Sequence, residues 1–148
     1  AVRYAEKVAS QLNYIGVIAV EFFISNGKIY VNEVAPRPHN SGHYTMDACD
    51  FNQFDEQVFS LTGTPLKNPK LIKNAVMVNL LGDIWFKNET LSPPNLDLFD
   101  GSTTEVLHIY GKSEARAGRK MGHFTVTGDN VTNLELRAKE IKDLLSKN

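Results

Sequence analysis

The chain has 148 residues, 42% of them hydrophobic, which is enough to bury a core. Its net charge of −1 argues against a general nucleic-acid binder or a protein drawn to anionic membranes. The single cysteine, Cys49, closes no internal disulfide and suits a reducing, cytoplasmic setting, and no apolar run approaches the ~18 residues of a membrane span. The sequence opens at Ala1 without Met and enters a helical pattern at once, as a piece of a longer protein would.

Residues 2–13 place Val2, Ala5, Ala9 and Leu12 at helical spacing, with Gly16 as the stop signal. GVIAVEFFIS (16–25) reads as a nearly continuous apolar strand interrupted by one carboxylate, Glu21. Asn26-Gly27 is a turn signal, and KIYVNEVA (28–35) is the return strand. Two registers are open here. A two-residue turn pairs Glu21 with Asn32 and sends Glu33 to the opposite face. A three-residue loop, Ser25-Asn26-Gly27, shifts the parity and puts Glu21 and Glu33 on one face. Carboxylates sharing a face repel unless a cation sits between them, and hard oxygen ligands of this kind suit Mg²⁺ carrying nucleotide phosphates.

Beyond the return strand the chain turns through Pro36 and Pro38, which lack an N–H for further sheet pairing. Within a few positions it presents Arg37, His39, Asn40, Ser41, Gly42 and His43. A strand end feeding a proline-braced polar loop is a place where chemistry can be held still. Residues 45–63 then read as one helix with an apolar stripe of Phe51, Phe54, Val58 and Leu61, a core face closed by Gly63.

Residues 65–69 are a linker, and 75–81 a buried strand ending at Gly82. Residues 83–104 lack periodicity and read as loop with one short helix, Trp85 being a packing residue. EVLHIYGK (105–112) and MGHFTVTG (121–128) are strands in which His108 and His123 read as structural histidines. Between them Lys112, Arg116, Arg119 and Lys120 cluster around Gly111 and Gly118, a loop able to cradle a phosphate. Residues 130–146 form an amphipathic helix with Leu134, Leu136, Ile141, Leu144 and Leu145 on its apolar face. Zinc-type Cys/His spacing, a GxxxxGK[ST] phosphate loop and a GxSxG elbow are all absent from the sequence. Strands with flanking helices and no βαβ alternation indicate an α+β fold.

Two stretches in order support a family resemblance. VIAVEFFISNGKIYVNEVAPRPHNSGHYT (17–45) resembles the last part of an ATP-grasp domain of the purine-biosynthetic branch. YGKSEARAGRKMGH (110–123), followed by a strand and a final helix, resembles the C-terminal part of the PurK-type N-carboxyaminoimidazole ribonucleotide synthetases. The resemblance implies the C-terminal half of an ATP-grasp domain (1–66), an antiparallel sheet with flanking helices. A small β-rich C-terminal subdomain (67–148) follows, and the N-terminal and lid subdomains lie outside this chain. It implies a ligase, usually a homodimer, in which ATP and bicarbonate yield carboxyphosphate and the amine of 5-aminoimidazole ribonucleotide captures the activated carbon. By motif match Glu21 and Glu33 would bind Mg²⁺, and Asn32 and Glu33 would lie against ATP. Arg37 and His39 would be catalytic, Asn40 and Ser41 would shape the substrate pocket, and Lys112, Arg119 and Lys120 would hold the ribonucleotide phosphate. Ala35 departs from the wider superfamily, which often has a metal-binding Asn there. Carrying only part of the nucleotide cleft, the chain by itself is expected to be inactive. Two competitors are a formate-dependent glycinamide ribonucleotide transformylase and a non-catalytic nucleotide- or partner-binding module.

Overall fold

The computed structural model describes residues 1–146, which divide after Leu71 into two compact units. Mixed helices and antiparallel sheets make the fold α+β. Among the described residues no helix is long and apolar enough to cross a membrane.

The first unit opens with α1 (Val2–Gln11). The Tyr14 hydroxyl donates to the carbonyl oxygens of Val17 (3.2 Å) and Pro36 (2.9 Å), tying the exit of α1 to the start of the polar loop. Next comes the hairpin of β1 (Ala19–Ser25) and β2 (Lys28–Ala35). Ser25 pairs with Lys28, so the turn has two residues, and both Asn26 (φ 50°) and Gly27 (φ 71°) are left-handed, as a type I′ turn requires. The three-residue alternative is therefore wrong.

The segment expected as one helix over 45–63 is two: α2 (Thr45–Ala48) and α3 (Gln53–Thr62). Cys49 is extended and bridges to Leu71, and Asn52 starts α3 afresh. Its side chain accepts from the N–H groups of Phe54 and Asp55, while the Asp55 carboxylate accepts from Asn52 N–H. This is a complete capping box, and the satisfied donors favour a new helix start over continuation. Phe54, Val58 and Leu61 were expected in the core and are exposed. Gly63 ends the helix in the left-handed conformation.

The second unit is built on a three-stranded antiparallel sheet of β3 (Asn74–Leu81), the central β7 (Lys120–Gly128) and β6 (Glu105–Ile109). Residues 82–104, read as loop with one short helix, hold more structure: 3₁₀ turns at Gly82–Trp85 and Asp97–Phe99, and the small hairpin of β4 (Phe86–Lys87) and β5 (Thr90–Leu91). The helix α4 (Val131–Leu145) packs on β3 and β7. Its buried face is Leu134, Ala138, Ile141 and Leu145, while Leu136 and Leu144, expected inward, are exposed. The observed set follows the 3.6-residue period and admits an alanine where the strand sits close. Leu80, Phe99, Phe124 and Val126 complete this core, with Trp85 packed at its edge. Arg137 donates to both carboxylate oxygens of Glu105 (2.7 and 3.2 Å), fastening α4 to β6.

Candidate active site

The hairpin ladder breaks where the first candidate residues lie. Val20 pairs with Val34 and Phe22 with Val31, so a single residue, Glu21, stands opposite two, Asn32 and Glu33. This is a β-bulge. Since Val31 and Val34 each face a partner on the same side of the sheet, the two residues between them share the side of Glu21. The bulge, not the turn, sets the parity of the carboxylates. Asn32 Nδ2 donates to Glu21 Oε2 at 3.4 Å, and the Glu33 carboxylate has no hydrogen-bond partner among the described residues.

The loop after Pro38 approaches the same carboxylate. His39 Nε2 lies 3.5 Å from Glu21 Oε1, and His39 Nδ1 lies 2.9 Å from Ser41 Oγ and accepts from Ser41 N–H at 3.3 Å. An N–H pointing at Nδ1 makes that nitrogen the acceptor, so the ring proton belongs on Nε2, toward Glu21. Asn40 Oδ1 is buried with no donor among the described residues. Arg37 folds back, donating from Nη1 to the Pro38 carbonyl at 3.0 Å, and touches none of the other candidates. His39, Ser41, Gly42 and Gln53 line one side of a cleft of about 270 Å³ whose other wall is Val17–Val20 and Tyr44.

In the second unit, Lys112 Nζ donates to the Lys120 carbonyl oxygen and lies 5.5 Å from the centre of the Tyr110 ring. Arg119 Nη1 donates to the Glu114 carbonyl at 2.7 Å. Among the described residues Lys112, Arg119 and Lys120 make no close ion pair, although the charge of Arg119 reaches the Glu114 carboxyl, and Arg116 pairs with Glu114 at 2.7 Å. Of these cations only Lys112 lines the adjoining cleft of about 420 Å³, with Trp85, Phe86, Leu91, Pro93 and Met121 among its walls.

Comparisons with known proteins follow this division. The ATP-grasp domain family matches residues 1–54, and the phosphoribosylaminoimidazole carboxylase C-terminal domain family matches residues 75–137. Over most of its length the chain is homologous to the PurK-type ATP-grasp proteins. It is 47% identical over 135 residues to the N5-carboxyaminoimidazole ribonucleotide synthase of Staphylococcus aureus (strain COL), covering 87% of this chain and 33% of that protein. The chain thus spans about a third of the length of the curated relatives it matches. Among solved structures, the N5-carboxyaminoimidazole ribonucleotide synthetase from Thermotoga maritima superposes with a TM-score of 0.81 at 40% identity, over 95% of this chain and 39% of that one. The S. aureus synthetase complexed with ADP gives 0.76 at 43%, over 95% of this chain and 36% of that one.

Two supports of these candidate loops carry no mention in the sequence reading above. Gln53 reaches from the first turn of α3 into the loop, its side-chain oxygen accepting from His39 N–H at 2.8 Å. The Asn52-x-x-Asp55 capping signal marks the residue after Asn52 as the first of a helix and was the available clue. Asp83 Oδ2 accepts from Gly118 N–H at 2.8 Å and pins the basic loop. A Cβ on Gly82 would stand 2.2 Å from the Arg116 carbonyl oxygen, so the loop crosses where only glycine fits. Neither Asp83 nor Gly82 bears a distinguishing local signal.

Proposed function

We propose that this chain supplies the metal and substrate walls of an ATP-dependent carbon–nitrogen ligase that carboxylates 5-aminoimidazole ribonucleotide to its N-carboxy derivative. ATP would phosphorylate bicarbonate to carboxyphosphate, and the aminoimidazole amine would attack the activated carbon, releasing phosphate. The observation that carries this reading is the bulge that sets Glu21 opposite both Asn32 and Glu33, with His39 against Glu21. The names of the relatives point the same way.

Magnesium fits the donor set: two carboxylates on one face, one of them unpaired among the described residues. Mg²⁺ held by Glu21 and Glu33 would neutralise charge on ATP phosphate oxygens. Asn32 would hold Glu21 by a hydrogen bond to one carboxylate oxygen, and His39 lies 3.5 Å from the other. Arg37 and His39 would face the carboxyphosphate and the aminoimidazole, Asn40 and Ser41 would shape that pocket, and Lys112, Arg119 and Lys120 would hold the ribonucleotide phosphate. The two units, divided after Leu71, correspond in this reading to the end of the ATP-grasp domain and the C-terminal subdomain. The active protein would be a cytoplasmic homodimer of the relatives' full length, and the chain alone would not turn over.

The test follows ADP release by a protein of that full length carrying this chain, given ATP, Mg²⁺ and bicarbonate. Release should depend on 5-aminoimidazole ribonucleotide, and Glu33→Gln should lower turnover by roughly 10²–10³-fold, in line with loss of one preorganised electrostatic contact. Release with glycinamide ribonucleotide and formate instead would transfer the reading to a transformylase. Silence with both substrates from a folded protein would reduce it to a binding module.

A further inference from the structure

We propose that Gln53 is the positioning residue of the His39–His43 loop, and that it holds His43 as the tautomer protonated on Nε2. The inference rests on the ligase reading for its catalytic consequence, but its geometry stands apart from it. The Gln53 side chain is buried, 8% of the residue being exposed. One end of its carboxamide faces the backbone N–H of His39 (2.8 Å), which can only donate, so that end is the oxygen. The other end is therefore NH₂, and it lies 2.6 Å from His43 Nδ1. That nitrogen must accept, which leaves the ring proton on Nε2. The His43 ring is further held by stacking on Phe54, with centroids 5.8 Å apart.

The loop is shaped to admit this carboxamide. A Cβ on Gly42 would stand 2.5 Å from Gln53 Oε1 and 2.9 Å from its Cδ, although the Gly42 backbone is not in the left-handed region. Thr45 completes the clamp: its hydroxyl donates to the Gly42 carbonyl (2.6 Å) and accepts from Gln53 N–H (3.1 Å). A single buried side chain on α3 thus spans the loop from His39 to His43. His39 in turn meets Glu21, so the position of the imidazole relative to the carboxylate is set from α3.

The experiment uses the full-length protein carrying this chain and reads imidazole ¹⁵N signals together with kinetics. In the parent protein His43 should show a hydrogen-bonded acceptor at Nδ1 and a protonated Nε2. Gln53→Glu keeps an acceptor for His39 N–H but removes the donor, so His43 should move its proton to Nδ1 or become charged. Gln53→Leu should lower kcat with 5-aminoimidazole ribonucleotide by as much as ~100-fold, as misplacement of about 1 Å does, with the KM for ATP little changed. Gly42→Ala should perturb the His43 signals and lower thermal stability in the parent but not in a Gln53→Ala background, because the clash is with that carboxamide. A His43 tautomer indifferent to Gln53→Glu, or a Gly42→Ala effect that is the same in both backgrounds, would overturn the proposal. The spectra and the Gly42–Gln53 coupling remain decisive whether or not the aminoimidazole ribonucleotide proves to be the substrate.

Discussion

The two units of the chain are stabilised in different ways. The second closes a core around Phe124, Ile141 and Leu145, each 1% exposed or less. In the first, the buried hydrophobics among the described residues are Ala35 and Ala48, while Ile24 (78%) and Leu61 (76%) stand open. A two-stranded hairpin is marginal by itself, and the first unit compensates with polar connections: the Asn52 capping box, the Gln53 clamp, the Thr45 hydroxyl and the Tyr14 bridge. The difference teaches that, within this stretch, the geometry of the polar loop is held by directional bonds and not by apolar side chains of its own unit. Its precision then depends on directional bonds, which fail singly, where a core loses stability in proportion to the volume removed.

The contrast can be tested first where it is largest. Phe124→Ala should cost about 3–5 kcal/mol in denaturant unfolding, whereas truncation of Leu61 or Val58 should stay within about 0.5 kcal/mol. Comparable losses at both places would show that the exposed stripe of α3 is buried in the working protein. A smaller effect is expected at the cap. Asn52→Ala should cost ~1 kcal/mol and, by loosening the start of α3, disturb the loop held by Gln53. Hydrogen exchange at His39 N–H is the readout, and unchanged protection would separate the cap from the clamp.

The smallest effect lies in the basic loop. The hydrogen bond and charge of Arg116 hold the Glu114 carboxyl below the usual carboxylate range. A carboxylate lowered in the folded state binds its proton more weakly there than in the unfolded chain. Its contribution is therefore present above the ordinary glutamate pKa and is lost as pH falls through the lowered one. Arg116→Gln should bring the Glu114 titration, followed by carboxyl NMR, back up toward the ordinary value. Both groups are exposed, so the change in stability should be slight and should fade with salt. A Glu114 titration indifferent to Arg116 would remove that ion pair from the account of the loop.

Much of the candidate site is legible because it is contiguous. Arg37, His39, Asn40 and Ser41 follow a strand in one loop, and Lys112, Arg119 and Lys120 share another. The strands around them were marked by β-branched and aromatic runs and by Asn26-Gly27. Other features were hidden for particular reasons. An apolar residue every three or four positions over 45–63 satisfies one long helix as well as two, and the local clue that outweighs it is the Asn52-x-x-Asp55 pattern, whose bonds the structure shows. On α4, Leu136 and Leu144 are as apolar as Leu134 and Leu145, and only packing against β3 and β7 decided which turned inward.

The sequence by itself determined the α+β class, the order of the elements, the polar loop and the two carboxylates on neighbouring strands, because local propensity and turn chemistry act over a few residues. The tertiary structure alone decided that Glu21 meets Asn32 and Glu33 across a bulge, that His39 reaches Glu21, and that Gln53 spans the loop. Strand register and long side-chain bonds depend on which partners the folded chain brings into range. No local pattern of residue types encodes that distance.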